Sequence, residues 1–285
     1  MKANVQTIRL GTRGSKLARA QSMQVAEEIM RKTGVQVELV IITTRGDQVL
    51  DKPLAEIGGK GLFTAELEMA LREGEIDFAV HSLKDLPTDD PEGLCIAAIP
   101  KRVDPRDVLV GSSAPKSIGT GSLRRGEQIR KEHPDIEIRG IRGNVDTRLA
   151  KLDAGSYDAI VLAAAGMHRL GIHREDARPL SISECVPAPA QGALGLQART
   201  GDDVIHELLH SIHDEVTAAC VAVERQFLAS IQGGCNVAAG CCVQPREEGG
   251  YQIDAFHDKA PQEQISFVVA DLHHATEAII SRLHG

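Results

Sequence analysis

LGTRGSKLAR, residues 10–19, runs from an apolar strand into Gly-Thr, turns at Gly-Ser and opens a helix; IGTGSLRRGE, residues 118–127, repeats that plan. Each reads as strand, Gly-Thr corner, Ser N-cap and helix. The recurrence predicts two α/β domains of similar build. Around the first copy the order is TIRLGT, a helix from about Ser15 to Lys32, the strand VQVELVIITT and the glycine-rich LAEIGGKGLF, then the helix TAELEMALREG ended at Gly74 and the strand IDFAVHSL. The proline-rich, charged passage IPKRVDPRD (99–107) breaks the pattern, which then restarts. SLRRGEQIRKE and VDTRLAKLDAG read as helices, IEIRGI as a strand and YDAIVLAAAG as a buried strand. DFAV and DAIV each follow a helix that stops at glycine. From Asp214 the texture changes to a long helix, VTAACVAVERQFLASIQ, a GGC loop, the alternating segments YQIDAFH and QISFVVADLH, and a last helix, TEAIISRLH. That predicts a small C-terminal α+β domain.

At 285 residues the chain exceeds one average domain. Apolar residues make up 42% and aromatics 2%, with no Trp, so the core rests on Ala, Val, Leu and Ile. Few stacking platforms and a net charge of −8 argue against nucleic acid as a partner. The N-terminus has no apolar signal-like region and no apolar run is long enough to span a bilayer, so a cytoplasmic protein with no membrane partner is expected. Six cysteines without CxxC spacing predict reduced thiols and no zinc ribbon.

GTRGS (11–15) and GTGSLRR (119–125) each place small residues and a hydroxyl where a strand meets a helix N-terminus, a natural anion site. The competing reading is plain N-capping by Ser15 and Ser122. Arg13, Arg124, Arg125, Arg142 and Arg148 cluster at such loop and helix-start positions, which suggests a site for a multiply charged anion rather than ordinary surface charge. HSLKDLP (81–87) follows an apolar strand, so Asp85 is expected at the strand's carboxyl end, where open α/β sheets bind ligands. There it is either a carboxylate for a developing cation or a turn residue before Pro87. His206, His210 and His213 share a helix face but lack a partner that would complete a metal site. Cys235 stands behind Gly233 and Gly234 in a loop, open to become a nucleophile, whereas Cys95, Cys185, Cys220, Cys241 and Cys242 read as small buried hydrophobes.

Taken in order, GTRGS, GGKGLF, HSLKDLP, GTGSLRR, IRGNVDTRL, PAQGALGLQ and GGC closely resemble the porphobilinogen deaminase family over residues 11–235. The resemblance implies two domains of periplasmic-binding-protein-like α/β fold, at 1–99 with 193–213 and at 100–192, with the active site between them. It implies a third domain at 214–285 and a PAQGALGLQ segment that returns to the first. By the same resemblance Cys235 carries a dipyrromethane cofactor through a thioether. Ser82, Lys84, Thr120, Ser122, Arg124, Arg125 and Arg142 attend that cofactor. Asp85 is the implied catalytic carboxylate, hydrogen-bonding pyrrole N–H groups and assisting proton transfer. Arg13, Ser15, Gln21, Lys60, Arg142, Asn144, Arg148, Arg169 and Gln191 are the implied substrate-binding residues.

The implied reaction joins four porphobilinogens head to tail with loss of four ammonias, then hydrolyses the linear tetrapyrrole from the cofactor. A monomer that passes its product to uroporphyrinogen-III synthase is expected. Gly121 stands where the family often has a second Ser, Asn236 and Ala238 where Gln or Ser and Pro are frequent, and Glu56 where some members have Lys. Two rival readings are a small-anion-binding protein of the same architecture, which needs neither Cys235 nor Asp85, and a thiol-dependent transferase or redox enzyme, for which only Cys241 could serve as a second thiol.

Overall fold

The structure is a computed structural model, and it describes residues 7–44, 64–231 and 237–285. The chain opens with β1 (Thr7–Arg13), α1 (Lys16–Thr33), β2 (Gln36–Ile42), α2 (Ala65–Arg72), β3 (Phe78–Ser82), a 3-10 turn (Leu83–Asp85) and β4 (Leu94–Ala98). It continues with β5 (Asp107–Gly111), β6 (Ser117–Gly119), α3 (Leu123–Glu132), β7 (Glu137–Arg139), α4 (Val145–Asp153), β8 (Ala159–Ala163), α5 (Ala164–Arg169) and β9 (Ala177–Pro179). The remainder is β10 (Leu194–Arg199), α6 (Asp203–His210), α7 (Glu215–Ser230), β11 (Ala239–Pro245), β12 (Tyr251–His257), β13 (Gln264–Val269) and α8 (Ala275–His284). YDAIVLAAAG is thus shorter as a strand than its sequence suggests, since Ala164 already begins α5.

Two compact units result, one of residues 1–102 with 193–218 and one of 103–192 with 219–285. The first holds a five-stranded sheet in the order β2-β1-β3-β10-β4. Here β1 runs parallel to β2 and β3, while β10 is antiparallel to β3 and β4. The second holds a sheet in the order β7-β6-β8-β5-β9, where β6 is parallel to β7 and β8 and β5 is antiparallel to β8 and β9. Order and direction match strand for strand, a closer correspondence than the similar build that the paired Gly-Thr corners predict. In each sheet the antiparallel strand is the one that begins just after the chain crosses from the other unit.

Alternation decides which face each strand residue covers. Along β3, Phe78 and Val80 join the core with α1 and α6, and Ala79 joins the core under α2. Along β8, Ile160 and Leu162 pack towards α4 and α5, and Ala159 and Val161 towards α3. Gly11 in β1 faces Ile76 so closely that a Cβ there would force the Ile76 side chain to shift. The second unit also contains the three-stranded antiparallel sheet β11-β12-β13, whose core includes Phe227 of α7 and Ile279 and Leu283 of α8. This sheet approaches the 186–187 segment closely: Cys241 N–H donates to Pro187 O at 2.9 Å. A Cβ on Gly240 would lie 2.6 Å from Val186 O.

Cys185, Cys220, Cys241 and Cys242 are buried, and Cys95 is half-buried beside His206 Nε2 at 3.7 Å. His210 and His213 stack at 5.3 Å, and no group among the described residues has the three or more His, Cys, Asp or Glu a metal would need. No helix among the described residues is long and apolar enough to cross a membrane.

Candidate active site

In the first unit the carboxyl ends of β1 and β3 lie side by side, since Leu10 pairs with Phe78 and Gly11 with Ala79. Arg13 ends β1, and Ser15 caps α1 by accepting from Ala18 N–H at 3.3 Å, so the capping role is realised. β3 runs into a 3-10 turn whose flanking Leu83 and Leu86 are buried anchors, Leu83 N–H donating to Ala193 O at 3.1 Å. Between those anchors Asp85 points outward. Its exposed carboxylate has no hydrogen bond or ion pair among the described residues. Ser82 accepts from Gln21 Nε2 at 2.9 Å. Gln21 is buried on α1 and steadies Ser82.

His81, to which the sequence assigns no role, sits one residue before Ser82 and is buried against Gln197, Nε2 to Oε1 3.1 Å. Burial pushes its imidazole down to about 4, with the Arg13 charge adding to the effect and the Gln197 bond opposing it. The ordinary value is 6.5, so between 6.5 and 4 the unfolded chain binds the proton and the folded chain does not. Stability is therefore full above pH 6.5 and falls as the pH drops towards 4, by roughly 3 kcal/mol in total. His81→Gln, which keeps a donor for Gln197, is expected to lose that component. Urea midpoints across this pH range check it, and an unaltered pH slope would contradict it.

In the second unit β6 ends at Gly119, and Thr120 and Ser122 form the corner before α3. Thr120 Oγ1 accepts from Ser122 N–H at 3.2 Å, and Ser122 caps α3 by accepting from Arg125 N–H at 3.4 Å. Beside this corner lies a pocket of about 450 Å³ that Gly121, Arg130 and Arg142 also line. Gly121 fits tightly: a Cβ there would sit 3.0 Å from Ile141 O, so a serine would have to displace that carbonyl slightly.

The two adjacent arginines differ from the expectation of loop-borne cations. Arg124 and Arg125 turn inward onto Asp107, which is 0% exposed. Arg124 Nη1 donates to Asp107 Oδ2 at 2.8 Å and to Val186 O at 2.7 Å. Arg125 Nε and Nη2 both donate to Asp107 Oδ1, at 3.0 and 2.7 Å. Burial alone would raise the Asp107 carboxyl, but the two guanidinium groups outweigh it and hold it well below the usual carboxylate range. Gln191 is also 0% exposed, its Nε2 bonded to Asp107 Oδ1 at 2.8 Å and Pro105 O at 2.7 Å. Its observed partners make it a brace for Asp107 rather than a surface-facing substrate contact. Cys185, 3.4 Å from Asp107, has its thiol pushed up to about 12 by burial.

Arg148 and Arg169 make no ion pair among the described residues. Arg148 donates from Nε to Gly143 O at 2.8 Å, and burial together with the Arg125 and Arg142 charges lowers its pKa. Arg142 and Asn144, in the loop before α4, are exposed. Arg169, at the end of α5, donates from Nη2 to Gly192 O at 2.8 Å, and its buried Nε has no partner among the described residues. Burial pulls it down to about 10. Lys60 and Cys235 lie outside the described residues, as do Glu56 and Asn236.

These features define a protein of two like α/β units whose strand-end loops carry cationic and hydroxyl donors, with one uncommitted carboxylate. Residues 8–207 match the sequence model of the family described as porphobilinogen deaminase, dipyrromethane cofactor binding domain. The chain is 49% identical over 243 residues to the porphobilinogen deaminase of Syntrophobacter fumaroxidans, covering 82% of this chain and 78% of that protein. The chain belongs to the porphobilinogen deaminase family. Among solved structures it is similar to the periplasmic VFT2 domain of Bordetella pertussis BvgS, with 14% identity, 72% of this chain and 86% of that chain covered and a TM-score of 0.42. It is likewise similar to the BenM effector-binding domain solved with benzoate, with 15% identity, coverages of 80% and 94% and a TM-score of 0.42.

A dipyrromethane bears carboxylate side chains, and the second unit suits such a group. Arg148 is crowded by like charge and Arg169 holds a buried donor with no acceptor among the described residues, so both gain from an arriving carboxylate.

Proposed function

We infer that this chain is a hydroxymethylbilane synthase, a transferase that condenses four porphobilinogens with loss of four ammonias and releases the linear tetrapyrrole by hydrolysis. The observation that carries the reading, in a chain of this family, is the exposed and uncommitted Asp85 carboxylate at the end of β3. Dipyrromethane, when bound, supplies the pyrrole α-carbon to which the first substrate is added.

The chain's own residues do the rest. Asp85 accepts the pyrrole N–H of porphobilinogen and stabilises the positive charge that grows on that nitrogen as ammonia leaves. It can then take the proton that must depart from the pyrrole carbon. Ser82 and Lys84 flank it for carboxylate binding, with Arg13 and Ser15 at the neighbouring strand end. In the second unit Arg142 and Arg148, with Arg124, Arg125, Thr120 and Ser122 behind them, hold acetate and propionate groups in two-point geometry. Each addition brings two more negative charges, which is why several arginines are needed. Arg169 and Asn144 extend this set, Lys60 belongs to it by motif, and Gln21 and Gln191 serve it through Ser82 and Asp107. Cys235 is the attachment residue. The three-domain division, 1–99 with 193–213, 100–192 and 214–285, goes with this reading, as do a monomeric state, a cytoplasmic location and delivery of product to uroporphyrinogen-III synthase.

Intact mass of the denatured protein, followed by peptide mapping, tests the reading. The expected excess equals two porphobilinogens less two ammonias and maps to Cys235. Cys235→Ser is expected to show the bare mass even after incubation with porphobilinogen. An adduct on another residue would overturn the assignment of Cys235, and a wild-type chain that gains no adduct would overturn the cofactor.

A further inference from the structure

Glu224 lies in the middle of α7, 0% exposed, and its carboxylate is divided between two backbone donors of the second unit. Oε1 accepts from Val243 N–H of β11 at 2.8 Å, and Oε2 accepts from Ala190 N–H at 2.6 Å. Ala190 has a φ of 61°, a left-handed conformation that a residue with a Cβ adopts only under constraint. It occupies the third position of a turn over residues 188–191, closed by Gln191 N–H to Ala188 O at 2.9 Å, with Pro189 second. That is a type II turn, whose third position favours glycine. The residue this turn delivers is Gln191, the buried brace of Asp107, and Asp107 in turn receives Arg124 and Arg125. An unbroken polar chain therefore links the C-terminal sheet to the paired arginines.

We propose that Glu224 is a positioning residue for the anion site: by clamping the left-handed Ala190 turn it holds Gln191 on Asp107 and so sets the direction of Arg124 and Arg125. The carboxylate is suited to this because it offers two acceptors to two N–H groups. A glutamine offers one, so Glu224→Gln must leave one backbone donor facing an amide NH2. The inference rests on the reading that these arginines serve the carboxylates of the cofactor.

The experiment follows cofactor loading of the full-length, cofactor-free chain on addition of porphobilinogen, read as mass gain against time. Glu224→Gln is expected to slow loading about tenfold, the effect of a small misdirection of charged groups. Ala190→Gly added to that variant is expected to bring loading back to within about threefold of the wild-type rate, because glycine takes the turn's φ unaided. A role for Glu224 confined to Val243 would not respond to that second change. Wild-type loading by Glu224→Gln, or failure of Ala190→Gly to restore it at unchanged thermal midpoint, would overturn the proposal. Should Glu224→Gln not fold, Gln191→Leu decides: slow loading supports the chain of contacts, and wild-type loading breaks it. Arg142→Leu reports on the anion site itself. If it loads normally, the reading of the site fails, whereas slow loading by Arg142→Leu with normal loading by Glu224→Gln removes only the role of Glu224.

Discussion

Asp85→Ala is expected to form tetrapyrrole at no more than about a thousandth of the wild-type rate, while the chain still folds and Cys235 still gains its adduct. The magnitude follows from losing both electrostatic stabilisation of a developing cation and a positioned proton acceptor. Folding is spared because the Asp85 side chain is exposed and holds nothing among the described residues, and the turn is anchored by Leu83 and Leu86 on either side of it. Asp85→Asn keeps the shape and removes the charge, so it is expected to be nearly as inactive. Steady-state tetrapyrrole formation, with intact mass as the loading control, makes the comparison. Turnover close to wild type in either variant would remove Asp85 from the chemistry.

Asp107→Asn is expected to be strongly destabilising. It leaves two buried guanidinium groups facing a neutral amide, a loss of about 3–5 kcal/mol. The Gln191 and Cys185 contacts to the same carboxylate are weakened with it. Because Arg124 and Arg125 depress the Asp107 pKa, its contribution stands at every pH above the ordinary aspartate range and declines only as the pH falls below it. Urea titration at neutral pH reads the loss directly. A midpoint unchanged from wild type would mean that the Arg124 and Arg125 charges find other partners.

Much of this was legible before any coordinates. The Gly-Thr-Ser corners pointed to two α/β domains of similar build, and HSLKDLP placed Asp85 at a strand's carboxyl end, where it read either as a carboxylate for a developing cation or as a turn residue before Pro87. The buried polar chain was not legible. Asp107 falls in a proline-rich passage that reads as a break, and its partners lie 17 and 18 residues further on, beyond any local periodicity. Arg124 and Arg125 read as outward cations because sequence gives a helix start but not the direction of a long side chain. Gln21 and Gln191 read as ligand contacts, yet both are buried among backbone and side-chain partners. The one available sign of Glu224 was a lone acid within the apolar run VAVER, which a helix's solvent face explains equally well.

The antiparallel strand β10 has a consequence for how the protein is made. It sits between β3 and β4, yet its residues leave the ribosome only after the whole of 103–192. During that interval, roughly 5–20 s at ordinary elongation rates, β3 and β4 present bare edges in an unfinished sheet. β3 is almost wholly buried in the finished molecule, so the nascent edge is apolar. In the second sheet the equivalent strand, β5, emerges before either of its neighbours, β8 and β9. The first unit's five-stranded sheet is therefore begun first and closed only after β9, the last strand of the second unit's five-stranded sheet, has emerged.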